Sequence, residues 1–384
     1  ANFAKLQIAG ENISDTYNQL VAKYYLAPEN ALGVLEYQKA TWKELEKEQI
    51  KNETALSRCV GLVIETRPDE ITKKSVKNIR RLGTTKVQLG IQSLDDEILR
   101  KNKRGHDVEA VRKAFALLRQ AGFKLHIHFM ANLYGGSVAK DKRDFKKLFS
   151  DLDFKPDELK IYPCSLIETA ELMSYYKKGL WQPYTHEQLL EITAFTLTQT
   201  PAYCRITRMI RDIPAQEIVV GNTKSNFRQI AETYVNKTKQ KMQDIRSREI
   251  RSTVFDPKEV KLKITHYKTS ISQEKFLQFV YGDKILAFLR LSLPIQKKNE
   301  VIEELNDSAM IREIHVYGRS LSIGQKGEEK AQHFGFGKKL IRKAAALSKK
   351  AGYKKLAVIS AIGTKEYYRK RGFSDGELYQ FLEL

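Results

Sequence analysis

The sequence predicts two folded parts in succession, a full or partial (β/α) barrel followed by a mixed α+β domain. Strand-like and helix-like segments alternate between Cys59 and Met209 at spacings that suit parallel strands joined by helices. From Lys261 onward the pattern changes to consecutive strands, with a hairpin turn at residues 281–284 and a glycine-containing loop before a helix. A chain of 384 residues is also too long for one ordinary core.

The predicted barrel strands have one apolar side and one polar side. In the strand at residues 86–93, Val87, Leu89 and Ile91 alternate with polar residues. Helices on both faces of a sheet would require two apolar sides, whereas a barrel with helices only outside can keep a polar interior. Either the polar side chains pair and fill the barrel, or they line a binding cavity, which is the interpretation we favour. The predicted lumen residues are Glu65, Gln88, Gln92, Lys124, His128, Lys160 and Tyr162.

Composition shifts along the chain predict four regions. Residues 1–58 form a helical N-terminal region without a recognisable motif, and residues 59–235 form the barrel. Residues 236–260 are rich in Lys and Arg and act as a basic linker or as a bridge that faces a shared ligand. Residues 261–384 form the α+β domain, which has an ordinary domain length.

Charge and cysteine content restrict the partners and the compartment. The 67 Lys and Arg residues exceed the 46 Asp and Glu residues, which gives a formal net charge of +21. Such a charge favours a nucleic acid as partner over a merely lysine-rich surface. Cys59, Cys164 and Cys204 are far apart and odd in number, so we expect no disulfide framework. Without a secretory leader or an apolar run of membrane-spanning length, we expect a cytoplasmic protein with no membrane partner.

The strongest local motif is the segment QHFGFG at residues 332–337, directly before a predicted helix at residues 338–351. Glycines allow the backbone to approach a phosphate, and the start of a helix offers free N–H groups and a positive dipole end. A glycine pair alone is weak, and the alternative is a glycine-rich turn with aromatic packing. Here the pair lies between a strand and a helix, which favours a phosphate site.

This order of elements resembles the GNAT acetyltransferase superfamily. The resemblance implies that the pyrophosphate of acetyl-CoA lies on the glycine loop, at Ala331, Gln332, His333, Gly335 and Gly337. It also implies that the pantetheine arm follows the preceding strand, at Glu313, Ile314, His315 and Val316. A tyrosine of the later helix, Tyr367 or Tyr368, would lie near the thioester as an acid.

Longer motifs resemble the catalytic subunit of Elongator and its stand-alone bacterial and archaeal homologues. The C-terminal motifs are EIHVYG at 313–318, AQHFGFG at 331–337 and AVISAIGTKEYYRKRGF at 357–373. The barrel motifs are ETRPD at 65–69, QLGIQS at 88–93, RGHDVEAV at 104–111, RDIPAQEIVVG at 211–221 and IRSREI at 245–250. The resemblance implies a radical S-adenosylmethionine barrel joined to a GNAT domain.

The family modifies carbon 5 of the wobble uridine of tRNA with an acetyl group from acetyl-CoA. The resemblance therefore implies an acyltransferase whose partner is the tRNA anticodon stem-loop, with accessory subunits or a homodimer as further options. Chemistry on a base requires the base to leave the stack, and the polar lumen would receive it. Phosphate contacts are predicted at Arg205, Arg208 and Arg211.

The cysteines depart from the family pattern. A radical S-adenosylmethionine enzyme binds a [4Fe–4S] cluster through three closely spaced cysteines, and this sequence has no such triplet. Either that segment lies outside these 384 residues, or the chain is a degenerate paralogue; residues 131–134, which lack the prolines usual in the family, favour degeneration. His126 and His128 have a metal-ligand spacing, but no further ligand is evident and we predict no metal site. Two rival functions stay open: tRNA binding without radical chemistry, and protein N-acetylation.

Overall fold

The computed structural model describes residues 40–209, 213, 215–224, 226–317 and 335–384. The chain divides into two compact units, residues 1–51 and residues 52–384. Helix α1 (Trp42–Glu53) crosses this limit, and everything that follows concerns the second unit. Within the described residues, no helix combines the length and the apolar character needed to cross a membrane.

A five-stranded parallel sheet forms the first half of this unit. Its strands are ordered β1–β2–β3–β4–β6, and helices connect successive strands. The strands are β1 (Val63–Thr66), β2 (Lys86–Gln92), β3 (Lys124–Ala131), β4 (Glu158–Pro163) and β6 (Arg205–Met209). The helices are α2 (Lys73–Arg81), α3 (Asp96–Lys101), α4 (Val108–Gln120), α5 (Val138–Ser150), α6 (Leu172–Lys177), α7 (His186–Gln199) and α8 (Phe227–Lys237). A small two-stranded sheet pairs β5 (Leu166–Ile167) with β7 (Ile218–Val220).

Side-chain oxygens define where these helices begin. Thr72 and Thr185 form capping boxes with Ser75 and Gln188, and Asp107 accepts a hydrogen bond from the amide of Ala110. Such caps satisfy amide groups that a first helical turn leaves unpaired. The alternating strand pattern is equally clear, because Val87, Leu125 and their apolar neighbours are fully buried while the intervening polar residues lie on the opposite face. The structure thus contains the parallel sheet that the sequence predicts.

A seven-stranded mixed sheet forms the second half. Its order is β13–β14–β12–β11–β10–β9–β8, in which only the β11 and β12 pair is parallel. The strands are β8 (Lys261–Lys268), β9 (Ser272–Tyr281), β10 (Lys284–Pro294), β11 (Ser308–Val316), β12 (Lys355–Val358), β13 (Ser374–Asp375) and β14 (Gln380–Glu383). Helix α9 (Phe336–Lys350) packs against it through Phe336, Leu340 and Ile341, and the short helix α10 (Lys365–Arg369) follows β12. The predicted hairpin is present, with Gly282 at a positive φ of 59°.

Several predicted limits differ from the structure. The strand predicted from Cys59 begins only at Val63, because the amide of Cys59 donates to Asn52 and its carbonyl accepts from Gly363. Helix α3 has no counterpart in the prediction, since a six-residue helix shows too little apolar periodicity. The residues predicted as a linker are packed: Arg248 donates to the carbonyl of Ala202 and to the Gln278 side chain. The four predicted regions therefore stay a prediction, and the last three of them belong to one compact unit, residues 52–384.

Buried charges join the two sheets. Asp157, which precedes β4, accepts two hydrogen bonds from the Arg312 guanidinium at 2.6 and 2.8 Å. Arg290 lies 3.4 Å from the same carboxylate, and Glu274 pairs with Arg312 at 3.3 Å. The side chains of Asp157 and Arg312 are both fully buried. A buried carboxylate is stable only when paired in this way, so the network fixes the register between the sheets.

Candidate functional site

A cavity of about 580 Å³ lies between the two sheets. One wall is β11, from Ile311 to Val316, and another is the beginning of helix α10, with Thr364, Tyr367 and Tyr368. The parallel sheet contributes Lys86 and Lys124, and the segment before β1 contributes Arg58 and Gly61. Both halves of the unit therefore build this cavity.

Strand β11 presents a free edge to the cavity. It pairs with β12 only from Ser308 to Ile311, and the last contact is the amide of Ile359 donating to the Ile311 carbonyl. Beyond Ile311 no described strand pairs with that edge, while the opposite edge stays paired with β10 as far as Val316. Strand β11 has a bulge at Arg312 in its pairing with β10. This bulge comes directly after Ile311, the last residue that pairs with β12. The free backbone groups at residues 312–316 can therefore pair with an extended ligand.

The start of helix α9 lies next to this edge. Gly335 has a φ of 65°, a left-handed conformation that suits glycine, and helix α9 begins with the next residue. A Cβ atom at Gly337 would collide with the hydroxyl of Tyr367 and would lie 3.7 Å from Val316. A Cβ atom at Gly335 would meet no described atom within 4 Å, so an anion has room to approach the first turn of α9 there. The amide groups and the dipole of this turn favour such an anion.

The two predicted tyrosines occupy different positions. Tyr368 is buried in the apolar core of the second sheet, where it packs edge-on against Phe373, and burial raises the pKa of its phenol above its ordinary value. Tyr367 is half-buried, and Arg371 stacks on its ring at 3.3 Å. Its hydroxyl reaches the start of α9. Tyr367 is therefore the better placed donor at the cavity.

A cluster of charges closes the cavity at the parallel sheet. The ammonium group of Lys124 lies 2.6 Å from Glu313 and 3.2 Å from Glu158, and Lys86 lies 3.0 Å from Glu158. Burial by itself raises the pKa of Glu313, but the charges of Lys124 and Arg290 lower it to about 2. Burial likewise opposes the charge on Lys124, but Glu313 and Glu158 raise its pKa. Lys124, Glu158 and Glu313 are therefore charged at neutral pH.

The polar face continues toward the carboxyl ends of the strands. His126 accepts or donates a hydrogen bond with Thr207 at 2.9 Å, and burial lowers the pKa of His126 to about 3. His128 lies 2.8 Å from the Gln88 side-chain oxygen and 3.5 Å from Glu65, and its ring packs edge-on against Tyr162. The structure thus brings together Gln88, His128 and Tyr162 of the predicted lumen.

The other predicted residues are more scattered. Gln92 ends β2 with a φ of 65°, and Lys160 lies beside His128 in the sheet. Arg205 pairs with Glu249 and donates to the Tyr317 hydroxyl at 3.0 Å, while Arg208 is exposed. Ala331, Gln332, His333 and Arg211 lie outside the described residues.

Sequence reasoning missed many of the residues that line the cavity, among them the basic residues Lys86 and Arg58. Lys86 has the same parity as Gln88 in β2, so the strand alternation could have found it. Arg58 belongs to a segment that packs on Gly363, where a Cβ atom would meet Arg58 at 2.5 Å. No pattern in the sequence signals that contact, because it joins residues about three hundred positions apart.

The cysteines do not gather into a metal site. Cys59 is exposed before β1, Cys164 follows β4, and Cys204 is buried before β6. In the part of the chain that the structure describes, no three His, Cys, Asp or Glu side chains are grouped so that they could hold a metal ion. These three cysteines therefore do not fit a [4Fe–4S] cluster, which needs three thiolates close together.

Family models and relatives agree with this architecture. The model of the Radical SAM superfamily matches residues 36–143, and that of the Radical_SAM C-terminal domain matches residues 156–237. A protein of Dehalococcoides mccartyi (strain CBDB1) named tRNA uridine(34) acetyltransferase is 38% identical over 338 residues, which are 86% of this chain and 73% of that protein. The chain belongs to the Elongator Elp3/tRNA uridine(34) acetyltransferase family. This confirms the resemblance drawn from the sequence motifs.

Two further Elp3-family matches come from the archaeon Methanocaldococcus infernus. One protein named tRNA uridine(34) acetyltransferase is 39% identical over 352 residues, 89% of this chain and 66% of that protein, so the chain spans just under two thirds of its length. The structure titled as archaeal Elp3 with an N-terminal deletion (1-46) has 37% identity and a TM-score of 0.82. That match covers 93% of this chain and 85% of the solved one.

Proposed function

We propose that this chain carries the acetyl-CoA site of a tRNA uridine(34) acetyltransferase and that its second half is a GNAT domain. The free edge of β11 inside the cavity is the observation that carries the proposal. Glu313, Ile314, His315 and Val316 form this edge, and the pantetheine arm would pair with their backbone groups. The pyrophosphate would lie at the start of α9, beside Gly335 and Gly337.

The chemistry that acetyl-CoA supplies is an acetyl group activated as a thioester. Around it, the hydroxyl of Tyr367 reaches the start of α9 and would donate a hydrogen bond at the phosphate end of the ligand. The buried wall of Ile311, Val358 and Ile359 would keep water away from the arm. The buried Tyr368 would support Tyr367 by packing. A role for either tyrosine as the acid at the thioester stays a prediction.

The acceptor would be the wobble uridine of tRNA, presented on the polar face of the parallel sheet. The net charge of +21 and the hydrogen-bonding groups of Gln88, His128, Lys160 and Tyr162 support a flipped base with its phosphates outside. Arg208 would contact a phosphate, and the same role stays proposed for Arg211, which lies outside the described residues. Gln92, at the end of β2, would face the base. We place the enzyme in the cytoplasm, with accessory subunits or a second copy of the chain as further partners. No step is assigned to S-adenosylmethionine or to a cluster, because the cysteines described above do not fit one.

Acetyl-CoA hydrolysis by the purified protein, with and without tRNA, tests this proposal. We expect turnover that rises several-fold when tRNA is added and falls as salt is raised, because phosphate contacts weaken with ionic strength. Turnover that ignores tRNA but rises with an amine acceptor would indicate a protein N-acetyltransferase. Tight tRNA binding without any turnover would indicate a binding protein that has lost its chemistry.

A further inference from the structure

The charge cluster around Lys124, Glu313 and Glu158 lies at the inner end of the cavity, and packing of the two sheets alone does not require charged groups there. Lys124 is a residue of the parallel sheet, yet its side chain crosses to Glu313 of β11. The side chains of Lys124 and Lys86 keep 18% and 20% of their exposure. Both residues line the cavity, so this remaining exposure faces the space that a ligand would fill.

The cluster carries one positive charge in excess. Five cations are paired with four carboxylates, so the formal sum is +1. The cations are Lys86, Lys124, Arg119, Arg290 and Arg312, and the carboxylates are Asp157, Glu158, Glu274 and Glu313. Arg119, Arg290 and Arg312 keep at most 2% of their side-chain exposure. The excess charge is therefore best represented by the two lysines that reach the cavity.

The geometry of the free edge gives this charge a place relative to the ligand. The start of α9 lies near Val316, at one end of the edge, and the bulge at Arg312 is at the other end. From Arg312 to Val316 the strand advances by four residue steps, which is about 13 Å in an extended chain. An arm anchored by its phosphates at α9 and paired along this edge would place its thioester beside Glu313 and Lys124.

We propose that Lys124 is a catalytic residue of the acetyl-CoA site, where its ammonium group stabilises the negative charge that develops on the thioester carbonyl oxygen. This inference rests on the proposed function. Glu158 and Glu313 act as positioning residues that hold the ammonium group charged and aimed at the cavity. Because Lys124 belongs to the parallel sheet, the acetyl-CoA site is complete only when both halves of the unit are present.

Hydrolysis illustrates the step. The oxygen of a water molecule bonds to the carbonyl carbon, and the C=O π pair moves onto the oxygen that Lys124 faces. When this pair returns, the C–S bond breaks and its electrons leave with the sulfur of CoA. Of the two protons of the water, one ends on that sulfur, through solvent, and the other stays with the acetic acid. The low pKa of Glu313 makes it a poor base, so charge stabilisation by a preorganised cation is the stronger contribution here.

The test uses the carbonyl stretch of a bound ligand as a readout that does not depend on turnover. The probe is acetonyl-CoA, in which a methylene group stands between the sulfur and the carbonyl carbon, so that the resulting ketone has no C(O)–S bond to cleave. A cation at the oxygen polarises the ketone, so its ¹³C-labelled stretch should move to lower frequency in the unaltered protein than in Lys124→Gln. The Lys124→Arg variant keeps a positive charge and should retain part of the shift. Lys113→Gln, an exposed change on helix α4, is the matched control and should leave the stretch unchanged.

Turnover and affinity complete the experiment. We expect Lys124→Gln to lower kcat for acetyl-CoA hydrolysis roughly 100-fold, with the Kd of CoA changed less than about threefold. If the unaltered protein does not bind acetonyl-CoA, the proposed function and this inference both fail. If it binds and the stretch is the same in Lys124→Gln, only the assignment of Lys124 fails. Should Lys124→Gln not fold, an unshifted stretch in Lys124→Arg relative to the unaltered protein, together with undiminished kcat, would overturn the assignment.

Discussion

The surroundings of buried carboxyl groups have opposite effects on their pKa at the two ends of the parallel sheet. At the amino ends of the strands, the pKa values of Glu158 and Glu313 fall because lysine and arginine charges outweigh the effect of burial. At the carboxyl ends, burial raises the pKa of Asp141 to about 6, although the hydroxyl of Tyr184 and the amide of Asn132 donate to it. The pKa of Asp144, on the same helix, is raised for the same reason.

This difference separates two ends, which we call the charged end and the neutral end: buried carboxylates face cations at the first, and Asp141 accepts hydrogen bonds from uncharged donors at the second. Charged pairs at the amino end are fixed by the second sheet, which supplies Glu313, Arg290 and Arg312. At the other end, the contacts of Gln88, His128 and Tyr162 include a hydrogen bond and ring contacts. Fixed charges suit a reaction in which charge develops on an acyl group, whereas neutral donors and rings suit a nucleobase. In the proposed function, the acetyl donor would therefore lie at the charged end and the uridine at the neutral end.

The largest expected effect comes from breaking the charged end at its centre. Asp157→Asn would leave the Arg312 guanidinium without the carboxylate that accepts both of its short hydrogen bonds. We expect the free energy of unfolding to fall by about 3 to 5 kcal/mol, the usual cost of removing one partner of a buried pair. Chemical denaturation monitored by tryptophan fluorescence measures this change.

A surface pair provides the control for Asp157→Asn. Asp153 pairs with Arg112 at a partly exposed position, so Asp153→Asn should cost less than about 1 kcal/mol. Equal losses in the two variants would mean that the two sheets are not joined through Asp157.

The neutral end predicts a distinct dependence of stability on pH. Asp141 ionises near its ordinary pKa of 3.8 in the unfolded chain but near 6 in the folded one. The contribution of protonated Asp141 to the free energy of unfolding is therefore fully present below pH 4. It is lost as the pH rises through 6, which lowers the free energy of unfolding by about 3 kcal/mol for a shift of this size. Asp141→Asn cannot ionise, and its amide oxygen can still accept from Asn132 and Tyr184. The variant should lack this loss.

Denaturation curves at pH 4, 5 and 6 for both proteins measure the difference. The lowered pKa values of Glu158 and Glu313 act in the opposite direction, because the stability they provide is lost as the pH falls below about 4.5. That contribution is common to both proteins and cancels in the comparison. Parallel curves between pH 4 and 6 would show that Asp141 is solvated in the folded state.

Sequence periodicity was sufficient for the parts of the molecule that local pattern determines. The alternation in β2 and β3 correctly separates the buried face, with Val87 and Leu125, from the polar face. The β11 strand, helix α9 and helix α10 lie within a few residues of their predicted limits. The Elongator resemblance rests in part on these segments, which is why the family and the parallel sheet could be recognised from the sequence.

Contacts between distant segments could not be predicted. The partnership of Lys124 with Glu313 joins residues 189 positions apart, and the sequence suggested a role for Lys124 at the base rather than at the acetyl group. Arg312 and Asp157 carry no local sign that they pair, because isolated charged residues in strands are more often solvated. Burial of charge depends on which sheet covers which face, and this depends on tertiary packing.

The smallest predicted effect concerns the start of helix α9, where glycine is required for a close approach. In Gly337→Ala, the added methyl group would occupy the position of the Tyr367 hydroxyl. We expect the Kd of CoA, measured by calorimetry, to rise about tenfold, or about 1.4 kcal/mol, because the phosphates and the hydroxyl are displaced together. Tyr367→Phe removes the colliding oxygen, and the nearest ring carbon is 3.7 Å from the new methyl group. The double variant should therefore bind CoA more tightly than Gly337→Ala alone. If the second change brings no recovery, Tyr367 does not border the phosphate site.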